Sequence, residues 1–162
     1  QEARFLLVKQ LEKQEQTKFQ YSVESPTTKT YCFTGKGERS GNIDLCIYDK
    51  GERCNLIEFK AMNPKQSSYT KDFEKLFCDE SNLVNYFIQI LENTNNGTIP
   101  NIERKYRMAI ETVREKQTVF QSSLKIFICD LGEKSIMKYE IDKNGLLSNI
   151  EIIYKTDKQK NT

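Results

Sequence analysis

Apolar residues recur at helical spacing in three segments of the chain. Residues 2–15 predict a first helix, because several apolar side chains fall on one face while lysine and glutamate fall on the other. Residues 69–77 predict a short second helix, with Phe73, Leu76 and Phe77 pointing inward. Residues 100–116 predict a third, which Pro100 opens in the first turn. The chain therefore carries three amphipathic helices.

Between the helices, strand patterns predominate. Residues 19–24 alternate in polarity, and Ser25-Pro26 is expected to end that strand before a short apolar piece at 31–33 and a loop at 35–41. Residues 83–91 are ambiguous by period, but their β-branched and aromatic content favours a strand. Further strands are predicted at 43–48, 55–61 and 124–129, and as a hairpin at 136–141 and 150–154.

This order of elements predicts an α/β (α+β layered) fold with a central mixed β-sheet flanked by helices. The order is helix, three strands, helix, strand, helix and strand, followed by a C-terminal hairpin. Residues 1–155 are expected to form a single domain, and 156–162 a flexible polar tail. Because the first residue is Gln1, we also expect the chain to be part of a larger one. A homodimer is the alternative.

Composition narrows the chemistry. The 162 residues contain no histidine, which excludes Ser–His and Cys–His nucleophilic catalysis and the HExxH zinc site. The five cysteines are odd in number and form no CxxC pair, so they indicate buried thiols rather than disulfides or zinc ligands. The net charge of +2 leaves the partner open. No apolar run is long enough to cross a membrane, and we expect a cytoplasmic protein.

Three charged residues interrupt the apolar strands in the middle of the chain. Asp44 lies in one strand, and Glu58 and Lys60 lie two apart in the next, so the latter two share a face at roughly 7 Å. A three-residue loop at 50–52, centred on Gly51, would place Asp44 opposite Glu58 on the same side of the sheet. Buried charges are costly without a partner or a purpose, so these residues are candidates for catalysis.

Two carboxylates beside a lysine have a definite chemical use. Hard oxygen ligands suit Mg²⁺ or Mn²⁺, which can bind a phosphodiester oxygen and activate water. Lys60 could orient that water or stabilise the transition-state charge. Hydrolysis of phosphodiesters is the reaction that this set of groups serves best.

The run Ile43-Asp44, followed by Ile57-Glu58-Phe59-Lys60, resembles the PD-(D/E)XK nuclease superfamily, which has the restriction-endonuclease-like fold. Ile43 stands where the motif's name has proline. The resemblance implies that Asp44 and Glu58 hold the metal, together with the backbone carbonyl of Phe59, and it implies nucleic acid, with DNA preferred, as the substrate. It also implies a glutamate from the first helix, here Glu2, as a further ligand.

Other residues are weaker candidates for the same site. Glu24 is an alternative carboxylate, and Lys36, Arg39, Gln66 and Lys71 are candidates for contacting nucleic acid, although each is also an ordinary surface residue. A second ExK run at 103–105 lies on a predicted helix with no aspartate strand before it, so it is treated as coincidental.

Two other interpretations stay open beside an active nuclease. One is a nuclease-fold module that has lost catalysis and serves binding or assembly. The other is a binding protein of unrelated fold, in which Glu58 and Lys60 form only a structural ion pair.

Overall fold

The computed structural model describes residues 2–14, 20–32, 37–79, 84–116 and 120–156. Its helices and strands alternate in the manner of a layered α/β domain. In chain order they are α1 (Glu2–Gln14), β1 (Gln20–Tyr31), β2 (Arg39–Asp49), β3 (Glu52–Ala61), α2 (Gln66–Cys78), β4 (Asn85–Leu91), α3 (Thr98–Lys116), β5 (Leu124–Asp130), β6 (Ser135–Ile141) and β7 (Glu151–Lys155).

The strands form one mixed sheet in which spatial order follows chain order, β1 to β7. The pairs β3–β4 and β4–β5 are parallel, and all the other pairs are antiparallel. The two parallel pairs coincide with the two helical connections, since α2 joins β3 to β4 and α3 joins β4 to β5. The predicted mixed sheet flanked by helices is therefore confirmed.

The helices cover the two faces of the sheet unequally. The larger core packs α2 and α3 against one face and contains Leu56, Tyr69, Phe73, Phe87 and Tyr106. A smaller cluster on the other face joins Val8 of α1 to Leu45 and Ile57. Because successive strand residues point to opposite faces, the side chains of Glu58 and Lys60 follow Leu56 toward α2.

The first strand is longer than its sequence predicts. β1 continues through Ser25-Pro26 to Tyr31, so the predicted break and the separate strand at 31–33 are wrong, and Phe33 lies outside the described residues. Two features make this possible. Glu24 takes a positive φ of 51°, and the register with β2 shifts between Pro26 and Thr30. β1 is also an edge strand, where a proline that donates no hydrogen bond is tolerated.

The hairpin between β2 and β3 also differs from the prediction. The turn has two residues, Lys50 and Gly51, both at positive φ, rather than three. A bulge restores the parity, because pairing shifts between Tyr48↔Arg53 and Ile47↔Asn55 and leaves Cys54 as the extra residue. Beyond the bulge the strands adopt the register expected from the sequence.

The helix predictions agree in position and differ in length. α2 begins at Gln66, three residues before its predicted start, so this residue lies in the first helical turn and not in a loop. In α3, Ile102, Tyr106, Ile110 and Val113 are all buried, as their spacing predicts. No helix among the described residues is long and apolar enough to cross a membrane. Residues 157–162 of the predicted tail lie outside the described residues.

Candidate active site

An open, polar cavity of about 440 Å³ lies where β2, β3 and α2 meet. It brings together the three residues that the sequence identifies, Asp44, Glu58 and Lys60. Carboxylates and cations are intermixed around it. The ionisable residues that line it are Glu24, Asp44, Glu58, Asp72, Arg39, Lys60, Lys71 and Lys75.

Glu58 is the most deeply buried carboxylate predicted for the site, with only 3% of its surface exposed. Its Oε1 forms an ion pair with the ammonium of Lys75, which is equally buried. Burial raises the pKa of Glu58 to about 8, although the Lys75 charge acts in the opposite direction. Burial alone would lower the pKa of Lys75, but the charges of Glu58 and Asp72 raise it above its ordinary value. The two charges thus depend on each other.

Asp44 stands one step beyond the last paired residues of the β2–β3 ladder, Leu45 and Ile57. Its Oδ2 accepts a hydrogen bond from the backbone N–H of Phe59 at 2.8 Å. This bond fixes the carboxylate across the gap where the strands separate. Asp44 also lines a neighbouring cavity of about 260 Å³ on the α1 side, so it stands between two openings at this end of the sheet.

Lys60 reaches α2 from the same strand as Glu58. Its Nζ donates a hydrogen bond to Ser68 Oγ at 3.0 Å and forms an ion pair with Asp72 Oδ2. Asp72 also faces Lys75, with 3.4 Å between Oδ1 and Nζ. The ammonium of Lys75 further donates to the carbonyl of Asn42 at 2.8 Å. Four alternating charges therefore run from Glu58 through Lys75 and Asp72 to Lys60.

Sequence reasoning missed Asp72 and Lys75. The two residues are three apart on α2, so they lie on neighbouring positions of one helical face. Each immediately adjoins a buried apolar residue, Phe73 or Leu76. A charged pair bordering the inward stripe of a helix that follows the Glu58–Lys60 strand is the signal that would have identified them.

The two candidate glutamates outside the central strands occupy different places. Glu24 lines the cleft, and its Oε1 accepts from Arg4 Nη1 at 2.5 Å. Arg4 donates as well to the carbonyl of Asp44 at 3.1 Å, so α1 is tied to the site through an arginine. Glu2 begins α1 with an exposed side chain and lines neither cavity.

Of the residues predicted to contact nucleic acid, two line the cleft, one does not, and one lies outside the described residues. Arg39, which belongs to β2 rather than to the expected loop, lines the cleft together with Lys71. Gln66 does not line it, because its Nε2 donates to the carbonyl of Lys105 on α3 at 2.9 Å. Lys36 lies outside the described residues.

The donor set fits a hard divalent cation. Asp44 and Glu58 supply two carboxylates at the cleft, and Mg²⁺ is commonly held by one or two carboxylates while it keeps several waters. Among the described residues, no group of three or more acidic or cysteine side chains is arranged to hold a metal. A divalent cation held here would have two carboxylate ligands, and carbonyl, water or phosphate oxygens would complete its coordination.

The second ExK run has a different environment. Glu103 lies on α3, where it accepts hydrogen bonds from Arg107 and Tyr139. Lys105 donates to Asn63 Oδ1 at 2.7 Å and to the carbonyl of Pro64 at 2.6 Å. Neither residue lines the cleft, so this run provides matched controls for the first.

No protein-family model matches the chain, and no curated protein sequence is significantly similar to it. The geometry of the cleft alone carries the functional interpretation.

Proposed function

We propose that this chain is a Mg²⁺- or Mn²⁺-dependent nuclease of the PD-(D/E)XK kind, with the restriction-endonuclease-like fold. Asp44 and Glu58 are its metal ligands, with the Phe59 carbonyl as a further oxygen donor, and Lys60 acts on the attacking water or on the transition-state charge. DNA is the proposed substrate.

The observation that carries the proposal is the group of charged side chains, the buried Glu58 and the half-buried Asp44 and Lys60, that β2 and β3 bring to one cleft. Glu58 and Lys60 occupy the same strand, and both line one cleft with Asp44. Burying a carboxylate costs several kcal/mol unless it is compensated, and apolar residues of similar volume would stabilise the fold at least as well. The proposed function gives a reason to keep such groups in this place.

A bound divalent cation would supply Lewis-acid stabilisation of the scissile phosphate and a more acidic water. Hydrogen bonds and an ion pair orient the side chains that would act with this cation. The Phe59 N–H holds Asp44 in orientation, and Ser68 and Asp72 direct the ammonium of Lys60 along one wall. Arg39 and Lys71 place positive charge at the same cleft, where a phosphate backbone would enter.

One observation favours a second candidate, a nuclease-fold module that binds or assembles without catalysis. Both central charges on β3 already have partners on α2, since Glu58 pairs with Lys75 and Lys60 pairs with Asp72. A network of this kind can also serve only to fix the position of a helix on a sheet. The two candidates differ in whether cleavage occurs.

The test compares cleavage of plasmid, linear duplex and single-stranded DNA, and of RNA, with Mg²⁺, with Mn²⁺ and with EDTA. Asp44→Asn and Glu58→Gln should abolish metal-dependent cleavage while the domain stays folded. Lys60→Met should lower the rate by about two to four orders of magnitude with binding retained. Lys105→Met, which removes the lysine of the other ExK run, is the matched control and should leave the rate unchanged.

Metal binding is read separately from cleavage, as the increase in melting temperature on adding Mn²⁺. The parent should be stabilised, and Asp44→Asn should not be. A parent that Mn²⁺ stabilises but that cleaves none of the substrates identifies the module without catalysis. Cleavage that survives in Asp44→Asn or Glu58→Gln rules these residues out as the metal ligands.

A further inference from the structure

Asp72 is a buried carboxylate on α2 that the two-carboxylate site does not use. Only 4% of its surface is exposed, and its two oxygens face different lysines. Oδ2 is paired with Lys60 and Oδ1 lies 3.4 Å from Lys75 Nζ. Oδ2 accepts no hydrogen bond from any described residue, so its contact with Lys60 is one of charge with charge.

Both groups that hold the Lys60 ammonium belong to α2. Ser68 and Asp72 are four residues apart on that helix and therefore share a face, and the ammonium lies against both. A lysine side chain has four rotatable bonds and adopts many conformations when it has no partner. The packed helix thus supplies a rigid surface that selects one conformation of Lys60.

The position of Asp72 is itself determined by packing. The next residue, Phe73, is fully buried and makes edge-to-face contacts with Phe77 and Phe87. The α2 backbone at Asp72 is therefore anchored to the large core, and the carboxylate emerges from it directly into the cleft. Lys75 lies one turn further on and completes the link to Glu58.

We infer that Asp72 is a positioning residue, which holds the Lys60 ammonium at the cleft so that it faces the reacting phosphate beside Asp44 and Glu58. This inference rests on the proposed nuclease activity. Asp72 acts through Lys60, and its loss lowers the rate of the chemical step rather than the binding of nucleic acid or metal. Groups that orient an active-site residue in this manner contribute about 10- to 100-fold to activity.

The experiment is a double-mutant cycle in kcat on the DNA substrate that the parent cleaves best. Asp72→Asn, which removes the charge and keeps the shape, should lower kcat by about 10- to 100-fold, with KM changed less than about twofold. In a Lys60→Met background the same change should have no further effect, because the group through which it acts is gone. The increase in melting temperature with Mn²⁺ should be the same in Asp72→Asn as in the parent.

Glu74→Gln is the matched control. Glu74 is also acidic, buried and on α2, but it pairs with Lys116 and does not line the cleft. Its replacement should leave kcat and KM unchanged. If Asp72→Asn does not fold, Asp72→Glu keeps the charge and displaces the carboxylate by one methylene, and it should show the same selective loss of kcat.

Given a parent that cleaves, three results contradict the inference alone. In the first, Asp72→Asn cleaves as fast as the parent. In the second, the effects of the Asp72 and Lys60 substitutions multiply, so that Asp72 acts independently of Lys60. In the third, Mn²⁺ no longer stabilises Asp72→Asn, so that Asp72 is itself a metal ligand. A parent without metal-dependent cleavage contradicts the proposed function, and this inference fails with it.

Discussion

Replacing Lys75 by methionine should expose the energetics of the buried pair. Lys75 and Glu58 are each 3% exposed, and their charges compensate each other inside the fold. Above the pKa of Glu58, where its carboxylate is ionised, removing the Lys75 ammonium costs about 3–5 kcal/mol, because the buried carboxylate is left uncompensated. For a chain of this length, that corresponds to a decrease in melting temperature of about 6–20 °C.

The matched variant carries Lys75→Met together with Glu58→Gln. Removing both charges avoids the uncompensated carboxylate, so the double variant should be about as stable as the parent, or more stable. Urea denaturation at about pH 9, where Glu58 of the parent is ionised, gives the free energy of unfolding for the four proteins of the cycle. If the stability losses of Lys75→Met and Glu58→Gln simply add, the two side chains are not coupled and the argument from burial is wrong.

The pH dependence follows from the direction of the shift. Burial raises the pKa of Glu58 from 4.5 to about 8, so between these values the folded chain holds a proton that the unfolded chain has released. This group therefore makes the fold less stable as pH rises through that window. Removing the Lys75 ammonium raises the pKa of Glu58 further, so the Lys75→Met penalty should be larger at about pH 9 than at about pH 5. Equal penalties at both pH values would refute this reasoning.

Two further predictions concern stability away from the cleft. Gly51→Ala places a side chain at a φ of 85° in the β2–β3 turn and should cost about 1–2 kcal/mol in urea denaturation, whereas Gly37→Ala, in open space and without a positive φ, should cost little. Asp79→Ala removes a fully buried carboxylate that pairs with Arg53 and accepts a hydrogen bond from Thr28. This change should lower the free energy of unfolding by about 3–5 kcal/mol. A loss below about 1 kcal/mol would contradict the burial of this carboxylate.

Apolar spacing and residue type predict the elements whose packing is local and simple. The buried stripe of α3 follows from apolar spacing, and the strand β4, ambiguous by period, follows from its β-branched and aromatic residues. Elements whose conformation depends on neighbouring elements cannot be predicted in this way. β1 passes through Pro26 because it lies at the edge of the sheet and because Glu24 adopts a positive φ, and neither fact is visible in the residues of that segment.

The candidate site shows the same division. Asp44, Glu58 and Lys60 could be identified because a charge inside an apolar strand is conspicuous. Asp72 and Lys75 were missed, since charged residues are normal on a helix and the one signal of these two is their place beside the buried Phe73 and Leu76. The sequence predicted the register between Asp44 and Glu58 from a three-residue loop, whereas the structure reaches that register with a two-residue turn and a bulge at Cys54.

The bulge at Cys54 constrains how the length of this hairpin can vary. The face on which Glu58 and Lys60 lie depends on whether the number of residues separating them from Asp44 is odd or even. Deleting Cys54, or inserting one residue at the turn, would rotate both side chains away from α2 and toward α1. Insertions and deletions of two residues would leave them in place. We therefore expect hairpin length to change in steps of two residues wherever the cleft is retained.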